Sequence, residues 1–318
     1  MNKYKPVDMT LVETYSIATR DNKVNIHDHF ARPLEAGMSF ESFFDSLPRL
    51  LGANNLRGVV EAVANARVKG RPVILAIGGH VIKCGLQPVL KKLIEADVIT
   101  AVAMNGSASI HDFEVSLVGA TSEDVGEVLH SGDFGFSEET GGGMNRALKV
   151  GLAKGIGFGE AIGRCIIEGE HPYKDYSLLA ACVENQIPVT VHVAIGTDII
   201  HQHPEADGAV TGEMTFRDFR LLTSVVADLG EGGVWLNVGS AVLLPEVFLK
   251  ALSIAQNLGH HVDGFTTANF DMIQHYRPLQ NVVKRPTSGS GRGYTITGHH
   301  EINIPLFALA VLDRIGKC

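Results

Sequence analysis

The stretch "PVILAIGGHVIKCGLQPVLKKLIEADVITAVAMNG", residues 72–106, decides the fold. It opens with a short apolar run rich in branched residues, which is typical of a strand buried on both faces. A helical pattern follows from Cys84, and a second strand-like run ends at Asn105. A strand, a helix and a second strand in immediate succession predict parallel strands joined by a right-handed crossover.

The same alternation continues to the end of the chain. Four further strand-like runs are separated by helical patterns; they are "IPVTVHVAIG" at 187–196, "GVWLNVG" at 233–239, "HVDGFTTANF" at 261–270 and "YTITG" at 294–298. The pattern predicts an α/β fold, a parallel sheet with helices on both faces and an N-terminal helical extension. We expect residues 1–39 to form an arm and residues 40–318 to form one domain.

Composition narrows the function classes. The chain has 318 residues, is 45% hydrophobic and carries a net charge of -8. The charge argues against a general nucleic-acid binder and against an anionic membrane surface, and no apolar run reaches the length of a membrane span. The cysteines form no CxxC pair, so we expect reduced thiols and a cytoplasmic protein.

Small and hydrogen-bonding residues follow the predicted strands. In a parallel sheet, ligands bind outside the carboxyl ends of the strands, where glycine backbones and helix N-termini favour phosphates. None of these turns fits the GxGxxG fingerprint. The five strand ends together predict a ligand-binding edge; they are "GGH" at 78–80, "NGSASIHD" at 105–112, "GTD" at 196–198, "NVGS" at 237–240 and "TTANFD" at 266–271.

Candidate catalytic residues lie close to two of these turns. Lys83 follows the first glycine turn and could hold a phosphate or, in a dry pocket, form a Schiff base. A solvated lysine explains it equally well. Asp112 and Glu114 flank His111 as an acid–base cluster, or they favour the N-terminus of their helix through its dipole.

Two histidine pairs raise the alternative of metal chemistry. His27 and His29 are two residues apart, as are His201 and His203, and such a spacing can bind zinc or iron if further ligands converge. The first pair precedes the alternating part of the chain. We therefore expect surface or hydrogen-bonded histidines and no metal site.

The order of the strand ends resembles the deoxyhypusine synthase family. Residues 72–126 look like that family's first nucleotide-binding segment, residues 184–199 resemble its cofactor loop, and residues 294–311 resemble its closing strand and helix. The likeness runs through residues 40–315. It implies a Rossmann-like, NAD-binding sheet and a homo-oligomer, either a dimer or a tetramer. The positions that match NAD contacts are Gly78, Gly79, His80, Asn105, Gly106, Ser107, Gly196, Thr197, Asp198, Gly239, Ser240, Ala268 and Asn269.

The chain departs from the family where the chemistry is done. Leu243 stands where the family has its catalytic lysine, and leucine forms no imine. Ile110 and His111 replace an acidic pair, and His299 replaces an aspartate before the last helix. A site that exchanges carboxylates for histidines is less suited to a polycation.

These observations predict a deoxyhypusine-synthase-like enzyme. We expect it to use NAD to oxidise a small amine or amino-acid-like substrate through an imine, with Lys83, His111 and Asp112 as catalytic residues. Glu114, His299 and Glu301 are the predicted substrate contacts. Three alternatives stay open: a spermidine-dependent aminobutyl transferase, a metal-dependent hydrolase that uses the histidine pairs, and a non-catalytic ligand-binding protein.

Overall fold

A computed structural model describes residues 2–316, so Cys318 lies outside the described residues. The chain divides into two compact units, one ending at Leu50 and the other beginning at Leu51. The first unit is largely irregular, with short 3-10 helices at Met9–Leu11 and Ile17–Thr19 that bury no residue. It ends with helix α1, Phe40–Ser46, whose N-cap Ser39 accepts a hydrogen bond from the Ser42 amide.

The second unit is built on a six-stranded parallel sheet. Its strands are β1 (Val73–Ile77), β2 (Ala101–Asn105), β3 (Val189–His192), β4 (Val234–Val238), β5 (Thr266–Asp271) and β6 (Arg292–Thr297). They lie in the order β3-β2-β1-β4-β5-β6 and every neighbouring pair is parallel. The predicted α/β fold is therefore confirmed, and the strand order reverses between β1 and β4.

Helices connect and cover the strands. They are α2 (Leu51–Lys69), α3 (Gly79–Lys83), α4 (Gln87–Glu95), α5 (Gly106–Val118), α6 (Val125–Val128), α7 (Gly143–Lys154), α8 (Phe158–Glu168), α9 (Leu178–Glu184), α10 (Gly208–Ala227), α11 (Leu243–Asn257), α12 (Tyr276–Pro278) and α13 (His300–Ile315). Glycines divide the helical stretch between residues 138 and 169. A π-turn at Glu138–Gly142 precedes α7, and Gly155, with φ of 74°, ends α7 before α8 begins.

The sheet is buried on both faces. Ile74 and Trp235 on one face pack with Phe248 of α11 in the main core, where the two aromatic rings stack 4.2 Å apart. The alternate residues Leu75 and Leu236 are equally buried, and α2 contacts β1, β4, β5 and β6. Because both faces are covered, the carboxyl edge of the sheet is the natural location for a site.

No helix among residues 2–316 is both long enough and apolar enough to cross a bilayer.

Candidate functional site

The turns after β1, β2, β3 and β4 meet at the carboxyl edge of the sheet. A methyl group at Gly78 would lie 2.1 Å from the carbonyl oxygen of Gly239, so the turns after β1 and β4 touch backbone to backbone. A methyl group at Gly106 would lie 2.0 Å from Asp198 Oδ2. These two glycines are therefore required by packing, whether or not a ligand approaches them.

A cavity of about 450 Å³ opens beside the first three of these turns, which is within the usual range for small-molecule sites. We call it the edge cavity. It is lined by Lys83, Ser107, Ile110, His111, Glu114, Ser122, Glu123, Val125, Phe134, Gly135, Ser137, Thr197, Asp198 and Ile199. Six of the residues predicted from sequence thus line one cavity, although they come from three separate strand ends.

The cavity's second wall was not anticipated from the sequence. Residues 122–137 follow α5 and bring Glu123, Phe134 and Gly135 to the cavity. The backbone carbonyl of Phe134 accepts a hydrogen bond from Gln202 Nε2 at 2.6 Å, and Gly135 N donates to Glu123 Oε2 at 3.0 Å. The sequence gives no signal that this segment, which includes α6, returns to the sheet edge.

His111 and Glu114 belong to a hydrogen-bonded network on α5. His111 Nδ1 lies 2.7 Å from the Thr121 hydroxyl, which donates to Glu114 Oε2. Thr140 Oγ1 donates to Glu114 Oε1 at 3.1 Å. Burial opposes ionisation of Glu114, but the nearby His111 and the hydrogen bonds from Thr121 and Thr140 outweigh it, and the pKa of this carboxyl is lowered.

Asp198 is the other half-buried carboxyl of the cavity. Burial raises its pKa, and the neighbouring His201, Thr197 and His111 offset this only in part. His201 Nδ1 accepts hydrogen bonds from the amides of Gly196 and Asp198 at 3.2 and 3.3 Å, which fixes the backbone of this turn. Gly196 and Thr197 are exposed beside it.

Asp112 does not face the cavity, contrary to its predicted catalytic role. It is fully buried and accepts hydrogen bonds from Ser177 Oγ at 2.6 Å and from the amides of Leu178 and Leu179 at 2.9 and 3.1 Å. These donors form the N-terminus of α9. Burial raises the pKa of Asp112 to about 6 despite these bonds. Asp112 therefore anchors α9 to α5 and is a structural residue.

Two of the predicted cofactor contacts lie inside the sheet. Ala268 pairs with Leu236 in the middle of β5 and is fully buried. Asn269 is also buried, with its amide oxygen 2.7 Å from Asn237 Nδ2 and its nitrogen 2.7 Å from Gln274 Oε1. The sequence prediction placed "TTANFD" at the end of a strand spanning 261–270, whereas these six residues are the whole of β5. Ala268 and Asn269 are therefore not available to a cofactor at the edge.

The remaining predicted contacts have mixed environments. Asn105 caps α5 by accepting from Ala108 N at 2.8 Å. Ser240 is buried and accepts from Leu244 N at 3.3 Å, while Gly239 is half-buried with φ of 64°. His80 is exposed. Gly79 packs against Ser107 and His111.

The sequence analysis selected His299 and Glu301, at the start of α13, as substrate contacts and did not select His300 between them. His299 and Glu301 are exposed, and His299 Nδ1 lies 3.7 Å from Glu301 Oε1. His300, between them, is buried beside Gly239, and its ring centroid is 5.9 Å from that of His80. Its Nδ1 is buried without a hydrogen-bond partner among the described residues. A "GHHE" motif does not reveal which histidine points inward.

The histidine pairs are engaged locally. His29 Nδ1 accepts from Asn25 N at 3.3 Å, and His203 Nδ1 accepts from Glu205 N at 3.2 Å. Within residues 2–316, no group of three or more histidine, cysteine, aspartate or glutamate side chains is arranged to hold a metal ion.

Comparison with known proteins identifies the fold. No protein-family profile matches the sequence, and no curated protein matches it. Among solved structures, the arginine dihydrolase ArgZ from Cyanobacteria is similar with a TM-score of 0.51 at 14% identity, over 82% of this chain. This chain spans only 31% of the length of ArgZ.

Two further solved structures are matched over a larger share of their own length. A protein described as LOR/SDH from Methanococcus maripaludis S2 has a TM-score of 0.50 at 15% identity, over 84% of this chain and 70% of its own. A protein described as a deoxyhypusine synthase from Entamoeba histolytica reaches 0.49 at 10% identity, over 87% of this chain and 94% of its own, a similarity too low to carry an argument. At these identities the likeness establishes the α/β fold alone.

Proposed function

We propose that this chain is an enzyme that binds a small cationic amine or amino-acid-like substrate in the edge cavity and oxidises it with NAD through an imine. One observation carries the proposal. Ionisable side chains from the ends of β1, β2 and β3, far apart in sequence, line a single cavity. A cavity with convergent polar groups at the carboxyl edge of a parallel sheet is the usual location of an active site in this fold class.

The charges of the cavity favour a cation. Three carboxyl groups line it, those of Glu114, Glu123 and Asp198, against a single lysine, Lys83. The lowered pKa of Glu114 keeps it ionised at neutral pH. An ammonium or guanidinium group therefore finds more negative than positive charge around it, and the attraction is strengthened by partial burial.

His111 is the base best located for the chemistry. It is half-buried, lines the cavity and is held by the hydrogen-bonded network of Glu114. An amine must lose its ammonium proton before the adjacent carbon can give up a hydride, and an imidazole takes up a proton near neutral pH. Asp112 is not retained in this role because all its contacts are with α9 and the preceding serine.

The edge also offers groups that suit NAD. Lys83 supplies positive charge, and Ser107 lies at the N-terminus of the long helix α5, with no hydrogen-bond partner for its hydroxyl among the described residues. Asp198 is available to ribose hydroxyls. Bound NAD would supply the hydride acceptor. The turn glycines add no support of their own, because Gly78 and Gly106 are required by packing.

Leu243 bears on the alternative function, which is aminobutyl transfer from spermidine. It begins α11, where the resembling family has its catalytic lysine, and it cannot form an enzyme-bound imine. Aminobutyl transfer from spermidine would need another amine, and Lys83 is the lysine that lines the cavity. We therefore rank oxidation with release of the imine above transfer, and we propose a homo-oligomeric assembly on the family resemblance.

The test begins with what the purified protein binds. We expect nucleotide to be released when the protein is denatured, or a rise in melting temperature of several degrees with NAD near 100 times its dissociation constant, equivalent to about 2.7 kcal/mol. Turnover is followed as NADH formation with a series of diamines, amino acids and spermidine. No nucleotide, no effect of NAD and no NADH formation with any amine would refute the proposal.

A matched pair of variants locates the site. His111→Gln should reduce turnover by about 100-fold or more without lowering the melting temperature. His261→Gln, at an exposed histidine that precedes β5, should leave both unchanged. Equal activity of the two variants would move the site away from the edge cavity.

A further inference from the structure

The hydroxyl of Thr121 links His111 to Glu114. Its oxygen lies 2.7 Å from His111 Nδ1 and also contacts Glu114 Oε2. The direct separation of His111 Nδ1 from Glu114 Oε2 is 3.8 Å, which is too long for a hydrogen bond. The histidine and the carboxylate therefore communicate through the threonine.

The protons of this chain of contacts can be assigned by counting donors. An ionised carboxylate only accepts, so the single hydroxyl proton of Thr121 goes to Glu114. The Thr121 oxygen can then only accept from the histidine, which requires the proton of neutral His111 to be on Nδ1. Thr140 fills the other oxygen of Glu114 and has no hydrogen bond with His111. The remaining ring nitrogen, Nε2, carries a lone pair.

The contacts of the ring leave Nε2 without a hydrogen-bond partner among the described residues, and His111 lines the edge cavity. The Cδ2 edge, which adjoins Nε2, lies against the Gly79 turn, where a methyl group would be 3.1 Å from Cδ2. The Nδ1 edge is turned toward Thr121. The charged groups that act on the ring are Glu114 on the same helix and Asp198 from the turn after β3.

We propose that Thr121 is a positioning residue that fixes His111 as its Nδ1–H tautomer and so makes Nε2 the catalytic base. The catalytic part rests on the proposed function, whereas the tautomer does not. When Nε2 takes a proton from the substrate ammonium, the imidazolium keeps Nδ1–H on Thr121, and Thr121 keeps its proton on Glu114. The charge of Glu114 stabilises the imidazolium through the hydroxyl, and no proton leaves the relay.

Thr121 connects the base to the second wall of the cavity. It lies just after α5, immediately before the segment that brings Glu123, Phe134 and Gly135 to the cavity. One stretch of chain therefore supplies both the hydroxyl that orients His111 and the second wall of the cavity.

The tautomer is measured in the unliganded protein by NMR of selectively ¹⁵N-labelled histidine, with the His111 signals assigned by their loss in His111→Gln. At a pH where the ring is neutral, we expect Nδ1–H to dominate in the wild type. Thr121→Val should lower the ratio of Nδ1–H to Nε2–H by about tenfold, the value of one hydrogen bond. Thr121→Ser should restore it. Thr140→Val, which removes a hydrogen bond of Glu114 without touching His111, should retain it.

A wild-type His111 protonated on Nε2, or a ratio in Thr121→Val equal to that of the wild type, would overturn the inference. If Thr121→Val fails to fold, the His111 tautomers measured in the wild type and in Thr121→Ser decide whether the inference holds. Because no substrate is needed, inactivity toward every amine would refute the proposed function and leave this result standing. With an active enzyme, Thr121→Val should lower kcat at least about tenfold at constant KM, and Thr121→Ser should recover it.

Discussion

The contact between the turns after β1 and β4 makes a sharp prediction for Gly78→Ala. The added methyl group would lie 2.1 Å from the Gly239 carbonyl oxygen, whereas ordinary contact begins near 3.4 Å. The obstacle is backbone, so no side chain can rotate away. Both turns are also fixed to the sheet, because Gly78 N donates to Val238 O at 3.0 Å and Gly239 N donates to Phe270 O at 3.1 Å. Relief requires a backbone displacement of more than about 1 Å and distorts one of these bonds.

The expected loss of stability combines the cost of the steric contact with the cost of the distorted hydrogen bond. Overpacking of a buried position destabilises by about 1–3 kcal/mol, and a weakened hydrogen bond adds about 1 kcal/mol. We therefore expect a loss of about 3 kcal/mol in the free energy of unfolding. At roughly 2–4 °C per kcal/mol for a unit of this size, the melting temperature should fall by about 6–12 °C. Urea unfolding at unchanged slope gives the free energy directly.

Gly212→Ala is the matched control for this change. Gly212 lies within α10, and apart from its chain neighbours and the backbone of its own helix no atom lies within 4 Å of the added methyl group. Alanine is the better helix former, so this variant should gain about 0.5–1 kcal/mol. If Gly78→Ala were within about 0.5 kcal/mol of the wild type, the turns after β1 and β4 would not be in contact, and the geometry of the whole edge would be wrong.

Two further predictions concern buried carboxyl groups. Asp218 of α10 accepts from the amides of Gly159 and Val191 at 2.9 and 2.7 Å, and burial raises its pKa to about 7 from an unfolded value of 3.8. The folded chain therefore holds a proton that the unfolded chain has released, so the free energy of unfolding should fall by about 4 kcal/mol as pH rises from 4 through 7, and Asp218→Asn should flatten this slope in urea titrations. Asp112→Ala leaves three buried donors at the start of α9 unpaired and should cost at least about 3 kcal/mol, whereas Asp112→Asn, which keeps one acceptor oxygen, should cost less; equal losses would contradict the anchoring role.

The sequence predicted the sheet because the burial of a strand leaves a local signal. The run "PVILAI" is apolar throughout and "GVWLNV" is apolar except for Asn237, and each contains a strand buried on both faces. Since parallel strands end at one edge, Ser107 and Asp198 could be expected near each other, and both line the edge cavity.

The boundaries of the strands carried no comparable signal. The strand expected at 261–270 begins later, at Thr266, and runs to Asp271, because Thr266 to Phe270 pair with β4 and Thr266 to Asp271 pair with β6. Small polar residues such as Thr and Asn fit a buried strand when neighbouring side chains pair with them. Those pairs are not visible along the chain.

On α5 the sequence identified residues near the edge cavity but not which of them face it. Asp112 and Glu114 are two residues apart, and a helix separates them by about 200°. Ser177 and the N-terminus of α9 determine which one is buried as an anchor, and Thr121 and Thr140 determine which one supports His111. Residue types and spacing along the chain thus determined the sheet and the edge at which its strands end, through hydrophobic burial and the direction of the strands. The roles of individual carboxyl groups and histidines were decided only by tertiary structure, because a polar side chain acquires its pKa and its function from partners that the chain brings to it from elsewhere.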